Sequence, residues 1–259
     1  MTMQIKSYKL NYIVLSLLLL VMVTGTAQAD FTEGLVHRWT FNAQQNPLID
    51  DIGGVELVNK GGVIFANGMA IFDGDSNCFL YSEDPRVNSE LFGGTKEFTI
   101  WVKFEVDSYP TAIVRLIRRS LSGRSDETTT GISLFSSGEV VGNVNVEDGS
   151  PESIRYLPYS EQESNTAAIS FSPSLFRCYA NGTQAVLDLE NISIRDIGIF
   201  TVGGLVDYKS GNFQFDQVFI GRIDELRIYN RLLTLEELDA IEAIEAIDIT
   251  DDFFISIVM

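Results

Sequence analysis

From Asp30 onward the sequence predicts an all-β fold, two antiparallel sheets packed as a sandwich with one short C-terminal helix. Three observations carry this. Short runs of alternating apolar and polar residues recur between clusters of Gly, Asn, Asp and Ser, the cadence of strands and turns. Two of the turns, Phe72-Asp73-Gly74-Asp75 and Tyr179-Ala180-Asn181-Gly182, carry the Asp-Gly or Asn-Gly pair that tight hairpins use to reach positive φ. Helical spacing is confined to 234–247, where Leu235, Leu238 and Ile241 follow a capping box made by Thr234 and Glu237.

Taken in order, residues 1–29 come first and read as a signal peptide. Lys6 and Lys9 precede an apolar run from Ile13 to Val23, and the segment ends in Ala27-Gln28-Ala29. The apolar core is about half of the ~20 residues that a spanning helix needs, and no Cys stands near the cleavage site for lipid attachment. The expectation is an exported chain, secreted, periplasmic or cell-surface, with no transmembrane span after cleavage. The first strand is Leu35–Phe41, and the cleanest is Phe98–Val106, with Phe98, Ile100, Val102, Phe104 and Val106 on one face. Further strands are predicted at 69–73, 78–82, 112–118, 131–135, 139–146, 166–171, 175–180, 184–190, 197–203 and 215–229. Arg119–Thr130 and Glu147–Asn165 have no clean period and read as long loops, where binding residues concentrate. Beyond the helix, an acidic stretch ends in Phe253–Met259, a run of apolar β-formers that pairs on a sheet edge or docks on the domain; docking is the expectation, since exposed it would invite aggregation.

Composition narrows the function classes. Removing residues 1–29 takes away Lys6 and Lys9 and leaves 16 basic against 36 acidic side chains, a charge near −20. That disfavours nucleic acid and anionic membranes as partners. Cys78 and Cys178 are an even pair in an exported chain, which permits one disulfide; a buried free thiol is the alternative for Cys178, which shares a strand face with Phe176.

Several segments resemble one family. Val36–Phe41 matches a leading [LV]-x-x-[WY]-x-[FL] strand, Phe72-Asp73-Gly74 an F-D-G turn, and Tyr179–Gly182 a Y-x-[ND]-G turn. Phe98–Lys103 approximates F-T-[IV]-x-x-W-[VI]-K, with Trp101 one position early. Gly221–Arg231 reads G-x-I-D-E-[VL]-R-I-Y-N-R, and Leu233–Leu238 follows as L-[ST]-x-E-E-[LI]. Over residues 34–240 the chain thus resembles the laminin-G-like jelly rolls of the concanavalin A-like lectin/glucanase superfamily. The resemblance implies a two-sheet jelly roll over 30–245 with a tail at 246–259, and leaves function open, because one fold hosts many sites. The W-x-H-[VI]-A strand of many relatives is replaced here by Asn165–Phe171, so nothing resting on that Trp-His pair carries over.

The chemistry reads as recognition. Retaining glucanases need two carboxylates ~5 Å apart, carried on an E-[ILV]-D-x-[x]-E type strand. Glu105-Val106-Asp107 and Asp188-Leu189-Glu190 do not continue in that way. His37 is the single histidine and packs with its strand, and a His-rich zinc site is excluded. The expectation is therefore a non-enzyme that binds carbohydrate or a cell-surface or matrix protein; a scaffolding domain without glycan binding is the alternative, and a glycan-cleaving enzyme a further one. Sugar stacking and hydroxyl binding point to Tyr109, Tyr156, Tyr159, Tyr208, Arg124 and Asn212. A structural Ca²⁺ is expected at Asp51 and Asp224. Alternation puts Asp224 on the face of Leu226 and Ile228, where a carboxylate needs a cation, an arginine or backbone donors. The Asp50–Gly54 loop stands where relatives carry D-x-x-G-x-x-x-x-G, which some use for calcium. An ion pair or a turn cap at Asp224 is the alternative.

Overall fold

The computed structural model describes residues 32–42, 46–75, 77–88, 91–92, 96–120, 129–146, 151–194, 198–209 and 212–243, with backbone alone at 120, 129, 151, 155–156, 205–209 and 212–216. The segment read as a signal peptide and the tail lie outside the described residues. Among the described residues no helix is long and apolar enough to cross a membrane.

Gly34 onward builds strands β1 (Leu35–Trp39), β2 (Val58–Asn59), β3 (Ile64–Ala66), β4 (Met69–Asp73), β5 (Leu80–Ser82), β6 (Phe98–Glu105), β7 (Val114–Ser120), β8 (Thr129–Phe135) and β9 (Glu139–Asn145). They continue as β10 (Pro151–Pro158), β11 (Ser164–Ser172), β12 (Leu175–Ala180), β13 (Thr183–Asp188), β14 (Ile199–Val202), β15 (Leu205–Lys209), β16 (Asn212–Asp216) and β17 (Ile220–Tyr229). The first sheet runs β13-β12-β11-β6-β17-β4-β3, with β1 on the second half of β17; the second runs β10-β9-β8-β7-β14-β5-β2. All described pairings in both sheets are antiparallel. This is the two-sheet jelly roll that the sequence predicts.

The core lies between the sheets. Phe98, Ile100, Val102 and Phe104 of β6 face it with Leu226 and Ile228 of β17, against Ile132, Leu134, Val140 and Phe200 of the second sheet. Burying such a side chain contributes about 1.5–3 kcal/mol, so alternation on β6 alone orients the sheet strongly. The sheets approach closely at Gly142, where a Cβ would stand 2.8 Å from Ile169 Cγ2 and 3.1 Å from Cys178 Sγ, a space only hydrogen fills.

Two predicted segments differ. Glu147–Asn165 contains β10, which pairs with β9 at the edge of the second sheet. Its terminal prolines, Pro151 and Pro158, hid it, and prolines are admitted on an edge strand because its outer N–H groups need no partner. The long strand predicted at 215–229 divides into β16, paired in a separate hairpin with β15, and β17.

β17 also corrects the placement of Asp224. Its register against β6 slips between Ile223 and Glu225, which face the adjacent residues Phe104 and Lys103. Asp224 is thus the extra residue of a β-bulge, and alternation does not carry through it. Ile223, Leu226 and Ile228 point into the core, while Asp224 is partly exposed.

The chain then turns into a helix, α1, described over 235–243. Its capping box is reciprocal: Glu237 N–H donates to Thr234 Oγ1 at 3.2 Å, and Thr234 N–H donates to Glu237 Oε2 at 2.8 Å. Leu238 and Ile241 are buried, and Tyr179 of β12 donates toward Asp239 and Glu242, which seats α1 on the first sheet.

Candidate functional site

The best-built exposed feature is an aromatic platform at one end of the sandwich, where the β6–β7, β8–β9 and β10–β11 connections meet. Tyr109, in the first of these, is 41% exposed. Its ring rests on Gly138 of the β8–β9 turn, where a Cβ would stand 3.0 Å from ring atoms Cε1 and Cζ. Gly138 has φ +76°, a left-handed turn conformation that glycine adopts without penalty, so one choice of residue makes both the turn and the seat. The ring meets Tyr159 edge-on, with centroids 5.3 Å apart at 80°, and its hydroxyl donates to the Tyr159 carbonyl at 3.2 Å. Glu161 accepts the Tyr109 N–H.

That neighbour loop is itself fixed. Tyr159 is buried, its N–H donates to the Gly138 carbonyl at 3.1 Å, and its hydroxyl donates to the Phe135 carbonyl at 3.0 Å. Burial pushes the Tyr159 phenol well above its usual range, so it stays a neutral donor. Asn165 closes the loop, accepting from Ser160 N–H and donating to the carbonyls of Ser160 and Glu163, each at 2.8 Å. Asn181, from the Asn-Gly turn, donates to Asn165 Oδ1 at 3.0 Å and accepts from Thr166 N–H at 2.8 Å. Gln162 N–H reaches the Val106 carbonyl at 2.8 Å. The rim is acidic, with Asp107, Glu161 and Glu163 exposed; Arg222 ties Asp107 and Glu105 to β17, at 2.8 Å each. What results is a partly exposed tyrosine ring seated against Gly138 and Tyr159, with exposed carboxylates on the neighbouring loops.

Of the sequence-predicted ligand residues, the structure brings Tyr109 and Tyr159 together, with Tyr159 buried as support beneath the exposed ring. Tyr156 lies in β10, Tyr208 in β15 and Asn212 in β16, with backbone alone described, and Arg124 lies outside the described residues. The seat, Gly138, and the clamps, Asn165 and Asn181, were not foreseen in this role. The Asn-Gly turn was legible, but the long-range use of its side chain has no local signature.

The expected calcium loop is occupied by hydrogen bonds. Asp50 is buried, with Oδ1 accepting from Ile52 and Gly53 N–H and Oδ2 from Val55 N–H and His37 Nδ1, at 2.5–3.1 Å. Burial opposes its charge, but the His37 bond and three backbone N–H groups outweigh it and hold its pKa down at about 2. His37 stacks on Trp39, with centroids 5.6 Å apart, and its Nε2 faces the Arg86 carbonyl at 3.3 Å. Asp51 is exposed and accepts from Thr40 Oγ1 at 3.4 Å. Asp224 pairs with Lys103 Nζ at 2.7 Å, which supplies the counter-charge that the expected cation was to bring. Among the described residues no three His, Cys, Asp or Glu side chains are grouped to hold a metal.

Cys78 and Cys178, which the sequence permits to pair, are both buried free thiols in this structure. Cys78 Sγ accepts the Asp73 N–H at 3.4 Å beside Gly62, whereas Cys178 on β12, next to Ile169 of β11, faces Gly142 across the core. Burial raises the two thiols to about 11 and about 12. Glu225, the most buried acidic side chain of β17, is locked between Arg38 and Arg227; burial opposes its charge, but the two guanidiniums hold its pKa below the usual carboxylate range.

Among solved structures, the binding domain of botulinum neurotoxin serotype G matches with a TM-score of 0.63 at 12% identity, over 82% of this chain and 51% of that one. The binding domain of Paraclostridial Mosquitocidal Protein 1 matches at 0.61 and 16%, over 82% and 52%. A Trypanosoma rangeli sialidase in complex with 2,3-difluorosialic acid matches at 0.58 and 16%, over 79% and 32%. The chain thus spans about half the length of the toxin binding domains and about a third of the sialidase, and identities this low establish a shared fold. No curated protein matches the chain. A family model described as the concanavalin A-like lectin/glucanases superfamily matches residues 82–239, which run from the end of β5 into α1. The chain belongs to that laminin-G-like family of the concanavalin A-like lectin/glucanases superfamily.

Proposed function

We propose that this protein is an exported, non-catalytic recognition module that binds carbohydrate through the Tyr109 platform. The observation that carries the reading is the Tyr109 ring, exposed yet fixed by Gly138, Tyr159 and Glu161. Ordering an aromatic side chain on binding costs affinity, and a ring already held flat has met that cost in the fold. Its exposed part suits the C–H face of a sugar, and the exposed carboxylates on the neighbouring loops suit hydroxyl donors. The acidic rim repels anionic sugars, so the favoured ligand is a neutral glycan. Export and a secreted, periplasmic or cell-surface location rest on the leader-like sequence of residues 1–29.

A glycan array tests this with wild type and Tyr109→Ala. Binding of neutral glycans, weakened at least tenfold by Tyr109→Ala, supports the reading; tenfold is about 1.4 kcal/mol. Capture of proteins alone would favour adhesion or scaffolding instead. Hydrolysis of a β-glucan by the purified chain would overturn the non-catalytic part.

A further inference from the structure

Two Asn-Gly pairs stand in this chain, Asn67-Gly68 and Asn181-Gly182, each preceded by alanine. The fold puts them to the same local use. Asn67-Gly68 is the two-residue loop of the β3–β4 hairpin, closed by the Ala66–Met69 pair. Asn181-Gly182 is that of the β12–β13 hairpin, closed by Ala180 and Thr183. Their φ angles are +54° and +75° in the first and +46° and +74° in the second, the left-handed pair of a type I′ turn. A Cβ at either glycine would meet nothing within 4 Å. Dipeptide, preceding residue and turn are thus matched, and only the surroundings of the asparagine differ.

The difference lies at the side-chain amide. Asn181 Oδ1 accepts the Thr166 N–H at 2.8 Å, and Nδ2 donates to Asn165 Oδ1 at 3.0 Å and to the Pro158 carbonyl at 3.4 Å. Asn165 and Thr166 are buried, so they cannot turn to water in its place. Asn67 is exposed, and its amide has no hydrogen-bond partner among the described residues.

Asparagine before glycine is open to attack on its own side chain, because glycine has no Cβ to shield its backbone nitrogen. That nitrogen, its proton lost to base, bonds to Cγ; the Cγ–Nδ2 bond breaks and ammonia leaves. Water then opens the cyclic imide at either carbonyl, giving aspartate or isoaspartate and one added negative charge. Water is the only co-reactant. The first step needs Cγ to swing over the following peptide, which the bonded amide of Asn181 does only when the turn opens locally.

We propose that Asn67 is a spontaneous deamidation site of the folded protein, and that the Asn165–Asn181 clamp keeps Asn181 an amide. The clamp protects itself. An aspartate at 181 would set a carboxylate against two acceptors, Asn165 Oδ1 and the Pro158 carbonyl, and loosen the Tyr159–Glu163 loop.

The test incubates the purified full chain at pH 8, folded and in urea, and follows both sites by peptide mapping with mass spectrometry. In urea the two pairs should react alike. In the folded chain Asn67 should convert at least tenfold faster than Asn181. Asn165→Ala, which removes one acceptor, should speed Asn181 alone, with the Asn67 rate unmoved as the control against general unfolding. Equal rates at the two sites of the folded wild type, whether fast or slow, would overturn the proposal, and so would a faster Asn181. The wild-type contrast decides it even where the variant fails to fold.

Discussion

Asp50 shows what one side chain does for this fold. Four donors converge on its carboxylate, tying β1, the loop to Val55 and the Pro85–Val87 turn together through His37 and Arg86. Its pKa falls from 3.8 to about 2 on folding. A depressed carboxylate contributes stability that is full above the unfolded value and is lost as pH falls through the folded one. Asp50→Asn should therefore cost about 2 kcal/mol at pH 7, with the gap from wild type closing between pH 4 and pH 2 in urea unfolding curves. The two buried thiols give a second expectation. With pKa values raised to about 11 and about 12, Cys78 and Cys178 should resist alkylation at pH 8 and react only on unfolding. Tyr109→Ala removes the hydroxyl bond and the edge contact to Tyr159 and should cost about 1–2 kcal/mol of unfolding free energy, so a variant that remains folded in urea unfolding curves separates lost binding from misfolding. Tyr109 and Tyr159 were legible as residue types. Their unlike roles, one exposed and one buried, were not, because exposure depends on Gly138, Asn165 and Asn181 arriving from other strands.

At the scale of elements, sequence pattern served best where a single period runs unbroken. The β6 alternation and the Thr234–Glu237 cap were readable because both are local rules, and Thr234→Ala should cost about 1 kcal/mol, measured as a fall in Tm. A bulge defeats that reading. In β17 one extra residue at Asp224 takes that side chain off the core face of Leu226 and Ile228, where simple alternation puts it. The same slip sets Asp224 beside Lys103. We keep calcium as a proposal for Asp51 and Asp224, with the consequence that an ion at Asp224 must displace the Lys103 ammonium. Calcium at ~100 times its Kd should then add about 2.7 kcal/mol, and Asp224→Asn should abolish the gain. A Tm indifferent to calcium and to chelator assigns Asp224 to the ion pair alone. Packing between the sheets has its own test: Gly142→Val, which drives a branched side chain onto Ile169 and Cys178, should cost about 1–3 kcal/mol in urea unfolding.

For the whole molecule, order of strands and closing helix were legible because hydrophobic pattern, turn chemistry and family-like segments agree over most of the chain. The site was legible only in outline. It is assembled from three connections that are distant in sequence, at Tyr109, Gly138 and Tyr159–Glu163, and no spacing rule links them. The formal charge of −18 bears on it at this scale: under the proposed reading, an acidic field around an acidic rim would select against sialylated or sulfated ligands and should make any binding of them rise with salt. The most direct test of the recognition account is an NMR titration of the ¹⁵N-labelled protein with a neutral glycan that scores on the array. The account predicts shift changes centred on Tyr109, Gly138 and Glu161, saturating with one Kd and absent in Tyr109→Ala. Saturating changes centred elsewhere and unaltered by Tyr109→Ala would contradict it.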